Sequence, residues 1–425
     1  MRRPTVAVSA LLAATALVSA AVPAAAAPAG EHGTDRETAR GAAARVVEGK
    51  GAALQQALDG IVAEGVPGAI AEVREGDRVW KVGSGTADLR DGRPAKPGDR
   101  FRAGSVTKTF VATVVLQLVD QGRLGLDDPI GRHLPGLVPD GDDGAPVTVR
   151  QLLGHTSGIP NYTDVLRRGD DPIRKLQNSR HTPRELVELA LKEPRPFNPG
   201  QPGKWAYSNT NYVLLAMLIE KATGRTLDQE IGRRIVRPLH LTDTTVPTSS
   251  RLPGRHLNGY EQLPGGTTPA GFTGFTGFTG FTGFTGFTGF TGFTGFTDFT
   301  DFSPTAFWGP GNIVSTTADL NRFYRALAGG KLLPSHLWQE MRTFRETDRG
   351  PERMYGLGLE SRAAYCPGEK PVWGHTGSVP GYSTFSFVSA DGKRQITLAV
   401  NTSLTMPEKA GTAALKAFTT ALCAK

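Results

Sequence analysis

Residues 103–122 read AGSVTKTFVATVVLQLVDQG and carry the most informative local pattern of the chain. From Lys108 the segment is almost entirely apolar until Gly122, which predicts a long helix that ends at a glycine cap. Ser105 lies at the start of this helix, and Lys108 follows one turn later on the same face. The sequence therefore places a hydroxyl group and an amine side by side at a helix N-terminus.

The chemistry of this pair depends on the surroundings of Lys108. Its neighbours include Val106, Phe110 and Val111, and apolar surroundings remove water from an ammonium group. Loss of hydration lowers the pKa of a lysine, so that a neutral amine is available to accept the proton of Ser105. The N–H groups of the helix N-terminus also stabilise an oxyanion. By itself, an S-x-x-K pattern is equally typical of a surface Ser and Lys.

Two further motifs each occur once. Tyr207-Ser-Asn209 lies in a polar turn before an apolar helix, where a Tyr hydroxyl near a Lys relays a proton. A buried Tyr with a hydrogen-bonded hydroxyl is the alternative. His375-Thr376-Gly377 lies on a predicted strand whose edge pairs with an extended peptide, although a lone His on a strand is usually structural. The chain contains neither G-x-S-x-G nor H-E-x-x-H, so the S-x-x-K serine is the candidate nucleophile.

Strand-like segments lie near both ends of the chain. AIAEVRE (69–75) and RVWKVGSG (78–85) predict a hairpin, and VWGHTGSV, YSTFSFVSA and KRQITLAVNT predict three strands near the C-terminus. Helical periodicity lies between them, at about 148–153, 183–193, 211–223 and 226–236. This order predicts an α+β fold, in which an antiparallel sheet flanked by helices is built from both chain ends and an all-helical domain is inserted.

With these motifs in this order, the sequence resembles the serine β-lactamase-like superfamily, on the branch of class C β-lactamases and secreted D-alanyl-D-alanine carboxypeptidases. The resemblance is carried by RFRAGSVTKTF, TVRQLLGHTSG, YSNTNYVLLAMLIEKATG, YGLGL, GHTGSVPGY and the DGKR turn. It implies a serine β-lactamase/DD-peptidase-like catalytic domain at 48–425. A sheet subdomain is expected at about 48–115 and 304–425 and a helical subdomain at about 116–260, with the active site between the two.

The resemblance also implies roles for individual residues. Ser105 is expected to be the acylated nucleophile, with Lys108 and Tyr207 sharing the proton transfers; which of them is the acylation base stays open. The backbone N–H groups of Ser105 and Ser378 are expected to form the oxyanion hole. The expected substrate-binding residues are Asn209, Trp308, Arg362, His375, Thr376, Gly377 and Ser378. Neither a metal nor a cofactor is implied.

One departure from the family pattern concerns the substrate. In the secreted carboxypeptidases, an Arg that binds the terminal carboxylate directly follows the YGLGL stretch. Here Glu360 and Ser361 follow it, and Arg362 comes next. Glu360 would repel a carboxylate unless Arg362 substitutes for the missing Arg. His375 replaces the Lys of typical β-lactamases, as in the carboxypeptidase branch, and a His carries only a partial charge near neutral pH.

The resemblance favours a secreted serine D-Ala-D-Ala carboxypeptidase that acts on peptidoglycan stem peptides and is acylated by β-lactams. An esterase, a D-aminopeptidase or a β-lactamase on the same residues is the alternative, and Glu360 favours the first two. A remote alternative is an inert wall-binding protein that uses a repeat described below. A monomer is expected, and no nucleic-acid partner.

The N-terminus predicts export. Arg2 and Arg3 precede an apolar run over 6–22, and small residues follow at 24–27. This pattern is typical of a secretory signal peptide at 1–27 that is cleaved, rather than of a stable membrane anchor. Residues 28–47 are small and polar and are expected to form a flexible leader.

Composition adds two expectations. The formal charge of +8 fits an anionic wall or membrane surface, and it also fits solubility alone. Cys366 and Cys423 are the two cysteines of the chain, and an exported protein meets oxidising conditions. We therefore expect one disulfide between an upstream loop and the C-terminal helix, a pairing that the resemblance supports; two free buried thiols are the alternative.

Residues 271–297 are nine GFT triplets, and DFT and DFS follow them. A period of three matches neither a strand nor a helix, so no single face collects the phenylalanines. We interpret 271–303 as a low-complexity insertion into the catalytic domain, with a binding or adhesive element as the alternative to a flexible, expanded loop.

Overall fold

One large sheet connects the two ends of the chain. The structure, a computed structural model, describes residues 49–423 apart from 170, 268–294, 364, 367 and 405. The strands are β1 (Gly68–Glu75), β2 (Arg78–Asp88), β3 (Arg93–Pro94), β4 (Phe101–Arg102), β5 (Tyr260–Thr267), β6 (Phe296–Asp298), β7 (Val314–Ser315), β8 (Arg345–Thr347), β9 (Gly350–Tyr355), β10 (Glu360–Arg362), β11 (Val372–Val379), β12 (Tyr382–Val388) and β13 (Arg394–Val400).

Nine of these strands form the main sheet, in the order β3-β2-β1-β13-β12-β11-β10-β9-β8. Every neighbouring pair is antiparallel. The N-terminal strands meet the C-terminal strands at β1 and β13, where Ala69 lies opposite Val400. The predicted α+β fold with an antiparallel sheet built from both chain ends is therefore confirmed.

Helices cover both faces of the sheet and fill the middle of the chain. They are α1 (49–63), α2 (Thr107–Asp120), α3 (Val149–Gly154), α4 (Tyr162–Leu166), α5 (Pro172–Asn178), α6 (Pro183–Leu191), α7 (Asn209–Thr223), α8 (Leu227–Ile231), α9 (Thr317–Ala328), α10 (Ser335–Met341) and α11 (Glu408–Leu422). Phe418 of α11 contacts Phe385 and Phe387 on one face of the sheet. Asn321 of α9 accepts a hydrogen bond from Thr397 on the opposite face. Because both faces are covered, the central strands are buried on both sides.

The helical segment is organised around α2 and α7. Both helices are buried along most of their length, and α3, α6 and α8 pack against α7. Capping boxes at Thr148 and Thr182 satisfy the first N–H groups of α3 and α6. Gly224 ends α7 in the left-handed conformation that glycine adopts without strain. No helix among the described residues is both long enough and apolar enough to cross a membrane.

A disulfide joins Cys366, in the loop between β10 and β11, to Cys423 at the end of α11. The expected single disulfide is therefore confirmed. Beside it, the rings of Tyr365 and Phe418 are stacked with their centroids 4.8 Å apart. The bridge fixes the C-terminal helix to the sheet close to β10.

Removing this bridge is expected to destabilise the fold. The cysteines are 57 residues apart, and a crosslink of that span restricts the unfolded chain by an amount that typically stabilises a domain by about 2–4 kcal/mol. Replacing Cys366 and Cys423 together by Ser should lower the free energy of unfolding by about that amount, as measured by urea denaturation. An unchanged free energy relative to the oxidised parent would contradict this expectation.

The strands β5 and β6 form a separate pair, in which Tyr260 lies opposite Asp298. The predicted signal peptide and leader at 1–47 lie outside the described residues. The same is true of residues 271–294 of the predicted insertion at 271–303. Beyond it, Phe299 is fully buried against Ile173 and Leu263. Residues 296–302 therefore pack against the folded domain, and the sequence pattern did not reveal this contact.

Candidate active site

Ser105 lies in a tight turn that packs against β11. The turn is a short 3₁₀ segment, Gly104–Val106, that runs directly into α2. Gly104 has a φ of +55°, and a Cβ atom there would lie 2.6 Å from the backbone nitrogen of Ser378. Only glycine fits such a conformation at such a distance. The glycine in the sequence A-G-S-V thus allows Ser105 to pack against β11, the strand that carries the H-T-G-S sequence.

Lys108 reaches Ser105 from one turn further along, as the spacing predicts. Its Nζ lies 2.9 Å from Ser105 Oγ, 2.7 Å from Asn209 Oδ1 and 3.0 Å from the carbonyl oxygen of Pro310. The side chain is completely buried. Burial lowers the pKa of Lys108 well below its usual value, against an opposing effect of the Glu360 carboxylate.

The three contacts of Lys108 define how a neutral amine is oriented. A carbonyl oxygen accepts hydrogen bonds and has no proton to donate. The two N–H bonds of a neutral Nζ are therefore directed to Asn209 and Pro310. Its lone pair then points at the hydroxyl of Ser105. This is the orientation that a general base for Ser105 requires.

Tyr207 contacts the same hydroxyl from the other side. Its phenolic OH lies 2.9 Å from Ser105 Oγ, and its ring lies 4.8 Å from Lys108 Nζ. Loss of water around the phenol raises the pKa of Tyr207, and the hydrogen bond to Ser105 opposes this only in part. The phenol is therefore protonated at neutral pH and acts as a hydrogen-bond donor.

Asn209 connects this cluster to α4. Its Nδ2 donates to Thr163 Oγ1 at 3.1 Å, and its backbone N–H donates to Asn161 Oδ1 at 3.0 Å. These contacts fix the side-chain amide so that its oxygen faces Lys108. Two separate motifs thus meet at Ser105: Lys108 and Tyr207 contact its hydroxyl, and Asn209 contacts Lys108.

The backbone amides of Ser105 and Ser378 belong to two segments that pack closely against each other. A Cβ placed on Gly104 would lie 2.6 Å from Ser378 N, and one placed on Gly377 would lie 3.2 Å from Ser105 N. The β10 strand pairs only with Val372–Gly374 of β11, so the later part of β11 has one edge that β10 does not cover. This geometry fits an oxyanion hole made of Ser105 and Ser378, next to a strand edge that pairs with a substrate backbone.

Comparison with known proteins identifies the family to which a chain with this site belongs. A family model described as Beta-lactamase matches residues 44–421, which is most of the chain. The chain belongs to the Beta-lactamase family. With Ser105, Lys108 and Tyr207 in contact, it is a class C-like serine hydrolase of that family.

Relatives within the Beta-lactamase family carry several activities in their names. The chain is 27% identical over 331 residues to Penicillin-binding protein 4* of Bacillus subtilis (strain 168), covering 77% of this chain and 66% of that protein, just under two thirds. A crystal structure of a D-stereospecific amidohydrolase from Streptomyces sp. is 36% identical, with a TM-score of 0.70 and coverage of 85% of this chain and 97% of that chain. The D-amino acid amidase from Ochrobactrum anthropi SV3 complexed with D-phenylalanine is 26% identical, with a TM-score of 0.71 and coverage of 87% and 98%.

Glu360, the departure from the carboxypeptidase pattern, is buried at the centre of a charged cluster. Arg362 donates to its Oε2 from Nε at 2.8 Å and from Nη2 at 2.5 Å, and Arg353 donates to Oε1 at 3.3 Å. The hydroxyl of Thr376 donates to Oε1 at 2.8 Å. Burial alone would raise the pKa of Glu360, but the charges of Arg362 and Arg353 and the Thr376 hydrogen bond hold it well below its usual value. Glu360 is therefore ionised, and Arg362 and Thr376 are both bound to it.

His375 is part of β11, but its side chain is buried in the protein interior rather than exposed at the mouth of the site. It is completely buried, and its Nε2 lies 3.0 Å from the hydroxyl of Tyr355. Burial lowers the pKa of His375 to about 4, against an opposing effect of Glu360. The imidazole is therefore neutral at pH 7, and the partial charge expected of it for anion binding is absent. By contrast, Thr376 and Ser378 are half-buried along β11.

A largely apolar recess opens on the other side of Ser378. It is small, with a cavity volume of about 20 Å³, is open to solvent, and is also lined by Thr163 and Arg167. Its apolar walls are formed by Leu166, Ile173, Leu176, Ala306, Phe307, Val379, Pro380 and Leu404. The predicted cleft residue Trp308 is half-buried beside it, but the lining is made by its neighbour Phe307.

Several contributing groups have no signature in the sequence. The Pro310 carbonyl and the Thr163 hydroxyl act on Lys108 and Asn209 from distant segments. His155, from the HTSG stretch, accepts the backbone N–H of Ser208 at Nδ1 over 3.2 Å, and its ring centroid lies 4.5 Å from that of Tyr207. The TVRQLLGHTSG stretch, one of those that carry the family resemblance, was the one available signal for His155.

Potential metal ligands do not gather at this site in the described part of the chain. The one group of three that the described residues form is Cys366, Glu369 and Cys423. Its two cysteines are bonded to each other, so their sulfurs are not available as thiolates.

Proposed function

We propose that the protein is a serine hydrolase that cleaves D-amino acid amides and peptides with an N-terminal D-residue through an acyl-enzyme on Ser105. The observation that supports this substrate class is the Glu360 cluster. In the secreted carboxypeptidases, the equivalent place holds an Arg for the terminal carboxylate of the substrate. Here the protein's own carboxylate is bound to Arg362, Arg353 and Thr376. A second carboxylate from a substrate meets like charge and finds these donors already in use.

In the proposed reaction, Lys108 accepts the proton of Ser105 as Oγ bonds to the carbonyl carbon. The backbone N–H groups of Ser105 and Ser378 stabilise the oxyanion of the tetrahedral intermediate. Its collapse breaks the C–N bond, and the leaving amine takes the proton held by Lys108, while the Tyr207 hydroxyl donates a hydrogen bond to Oγ. Water then attacks the ester by the reverse arrangement and releases the acid. The Tyr207–Ser105–Lys108 contacts of 2.9 Å each support this route.

The relatives point to the same substrate class. The Streptomyces protein is named a D-stereospecific amidohydrolase, and the Ochrobactrum protein is named a D-amino acid amidase. Each covers more than 80% of this chain. We infer D-stereospecificity for this chain from those names, and the absence of a free carboxylate site from Glu360.

A D-Ala-D-Ala carboxypeptidase that β-lactams acylate is the second candidate. Thr376 and Ser378 are half-buried along β11, where that activity requires donors to the substrate carboxylate. Penicillin-binding protein 4* and the putative penicillin-binding protein PbpX of B. subtilis are 27% and 26% identical to the chain. For this candidate, Thr376 must leave Glu360 when substrate binds.

One set of assays separates the two candidates. Purified protein is incubated with D-phenylalanine amide, L-phenylalanine amide and diacetyl-L-Lys-D-Ala-D-Ala, with Ser105→Ala as the inactive control. Ammonia release from the D-amide, with little from the L-amide and little D-Ala from the tripeptide, supports the amidohydrolase. Efficient D-Ala release without amide cleavage would overturn it in favour of the carboxypeptidase.

We also propose that the protein is exported by a signal peptide at 1–27, as the apolar run over 6–22 suggests. Mass spectrometry of protein recovered from the culture medium should give an N-terminus at Pro28. Retention in the cytoplasm with an intact N-terminus would contradict export.

A further inference from the structure

A buried carboxylate on β5 holds two segments that converge on Ser378. Glu261 is completely buried. Its Oε1 accepts the backbone N–H of Gly381 at 2.7 Å and the backbone N–H of Leu404 at 3.1 Å. Glu261 takes no part in the chemistry described above, and a carboxylate is costly to bury unless it is well hydrogen-bonded.

Both segments control the position of Ser378. Gly381 lies in the turn between β11 and β12, and Ser378 pairs with Ser383 just before this turn. Leu404 follows Ser403, whose hydroxyl is hydrogen-bonded to that of Ser378. A single oxygen atom of Glu261 therefore fixes the turn at the end of the oxyanion strand and the loop that contacts it from the side.

The segment that carries Glu261 is itself anchored against the same turn. Gly381 has a φ of +82°, and a Cβ atom there would lie 2.7 Å from Gly259 Cα. The backbone N–H of Tyr260 donates to Asn401 O at 3.0 Å, and that of Phe299 donates to Gly259 O at 2.7 Å. Glu261 thus approaches Gly381 from a fixed backbone.

We propose that Glu261 is a positioning residue for the oxyanion hole. It acts through Gly381 and Leu404 to hold the N–H of Ser378 in line with that of Ser105. Displacement of one oxyanion donor slows acyl transfer by about 10- to 100-fold even when the nucleophile and base are intact. The inference rests on acyl transfer to Ser105 and not on the proposed D-amino acid substrates.

The test uses an activated ester, p-nitrophenyl butyrate, and its thiono analogue, in which sulfur replaces the carbonyl oxygen. In both, Ser105 Oγ bonds to the acyl carbon, its proton passes to Lys108, and p-nitrophenolate leaves. Sulfur is a weaker hydrogen-bond acceptor than oxygen. The ratio of oxo to thiono acylation rates therefore reports the oxyanion hole, and it is independent of the amount of active protein.

Glu261→Asp withdraws the carboxylate by one methylene, and Glu261→Gln keeps an oxygen at the position of Oε1. We expect Glu261→Asp to slow acylation by the oxo ester by about 10- to 100-fold and to lower the oxo-to-thiono ratio. Glu261→Gln should remain within about threefold of the parent. Glu72→Ala removes another buried carboxylate, on β1, and should leave the ratio unchanged.

The inference is overturned if Glu261→Asp folds and keeps the parental ratio, or if Glu72→Ala lowers the ratio equally. Should Glu261→Asp fail to fold, Ser403→Ala decides, because it removes the hydroxyl through which the segment held by Glu261 contacts Ser378. A lowered oxo-to-thiono ratio in Ser403→Ala supports the inference, and a parental ratio overturns it. Parental protein that hydrolyses the ester but not D-phenylalanine amide would refute the proposed substrate while leaving this test intact.

Discussion

Lys108→Arg is expected to slow acylation of Ser105 by about 10³-fold. The substitution keeps a positive charge and hydrogen-bond donors, but a guanidinium stays protonated throughout the accessible pH range. It therefore cannot accept the proton of Ser105. The buried Lys108 has a pKa well below its usual value because it is cut off from water, so its neutral form is far more populated than that of an exposed lysine at the same pH.

The pH dependence of the parental protein follows from the same shift. A lysine with a lowered pKa is neutral above that pKa and protonated below it, so acylation should reach a plateau above the lowered pKa of Lys108 and fall as the pH drops through it. The pH dependence is measured as the rate at which a fluorophosphonate modifies Ser105, monitored by stopped-flow between pH 4 and 9. Lys108→Arg should show no such plateau.

The choice of base between Lys108 and Tyr207 is decided by the same variants. Lys416→Arg, on the exposed surface of α11, controls for a generic effect of the substitution and should be neutral. Tyr207→Phe removes a donor that is 2.9 Å from Ser105 Oγ and should cost less than Lys108→Arg. If Lys108→Arg retains more than about a tenth of the parental rate while Tyr207→Phe is inactive, the phenol is the base.

The parts of the site that the sequence predicted are those that depend on local geometry. The S-x-x-K spacing on a helix brings Lys108 to 2.9 Å from Ser105 through backbone regularity alone. The sheet built from both ends was predictable because strand patterns occurred only near the termini, with helical periodicity between them. Tyr207 and Asn209 were identified by motif, but their convergence on Ser105 required the packing of α2 against α7.

Other features depend on contacts between segments far apart in the chain, and no local pattern encodes these. The sequence showed that Glu360 stands where an Arg was expected, but not that Arg353 and Thr376 also bind it. The sequence suggested that His375 is partly charged, whereas burial of its side chain lowers its pKa and keeps the imidazole neutral at pH 7. The positioning role inferred for Glu261 likewise rests on the placement of β5 beside the β11–β12 turn.

Glu360→Gln is expected to lower the free energy of unfolding by about 3–5 kcal/mol at pH 7. The substitution leaves Arg362 and Arg353, both largely buried, without their counter-ion. Replacing one member of a buried ion pair is costly because the remaining charge has lost both water and partner. Urea denaturation at pH 7 measures the loss, and the exposed Glu408→Gln on α11 serves as the control.

The effect of Glu360→Gln should depend on pH in one direction. Because the folded-state pKa of Glu360 is lowered, its ionisation stabilises the fold above its unfolded pKa of about 4.3, and this contribution is lost as the pH falls toward the folded pKa. The difference between parent and variant should therefore be full at pH 7 and shrink below about pH 4. A difference that grows on acidification would contradict the ionised state of Glu360.

The same variant tests the substrate argument, because it frees Arg362, Arg353 and the Thr376 hydroxyl to bind another carboxylate. We expect the ratio of D-Ala release from diacetyl-L-Lys-D-Ala-D-Ala to ammonia release from D-phenylalanine amide to rise by about tenfold or more in Glu360→Gln, which corresponds to one charge-assisted hydrogen bond. Glu360→Gln combined with Arg362→Gln should recover part of the stability and lose the gain in D-Ala release. If Glu360→Gln is destabilised as expected but the ratio stays parental, then Glu360 stabilises the sheet edge without selecting against a substrate carboxylate.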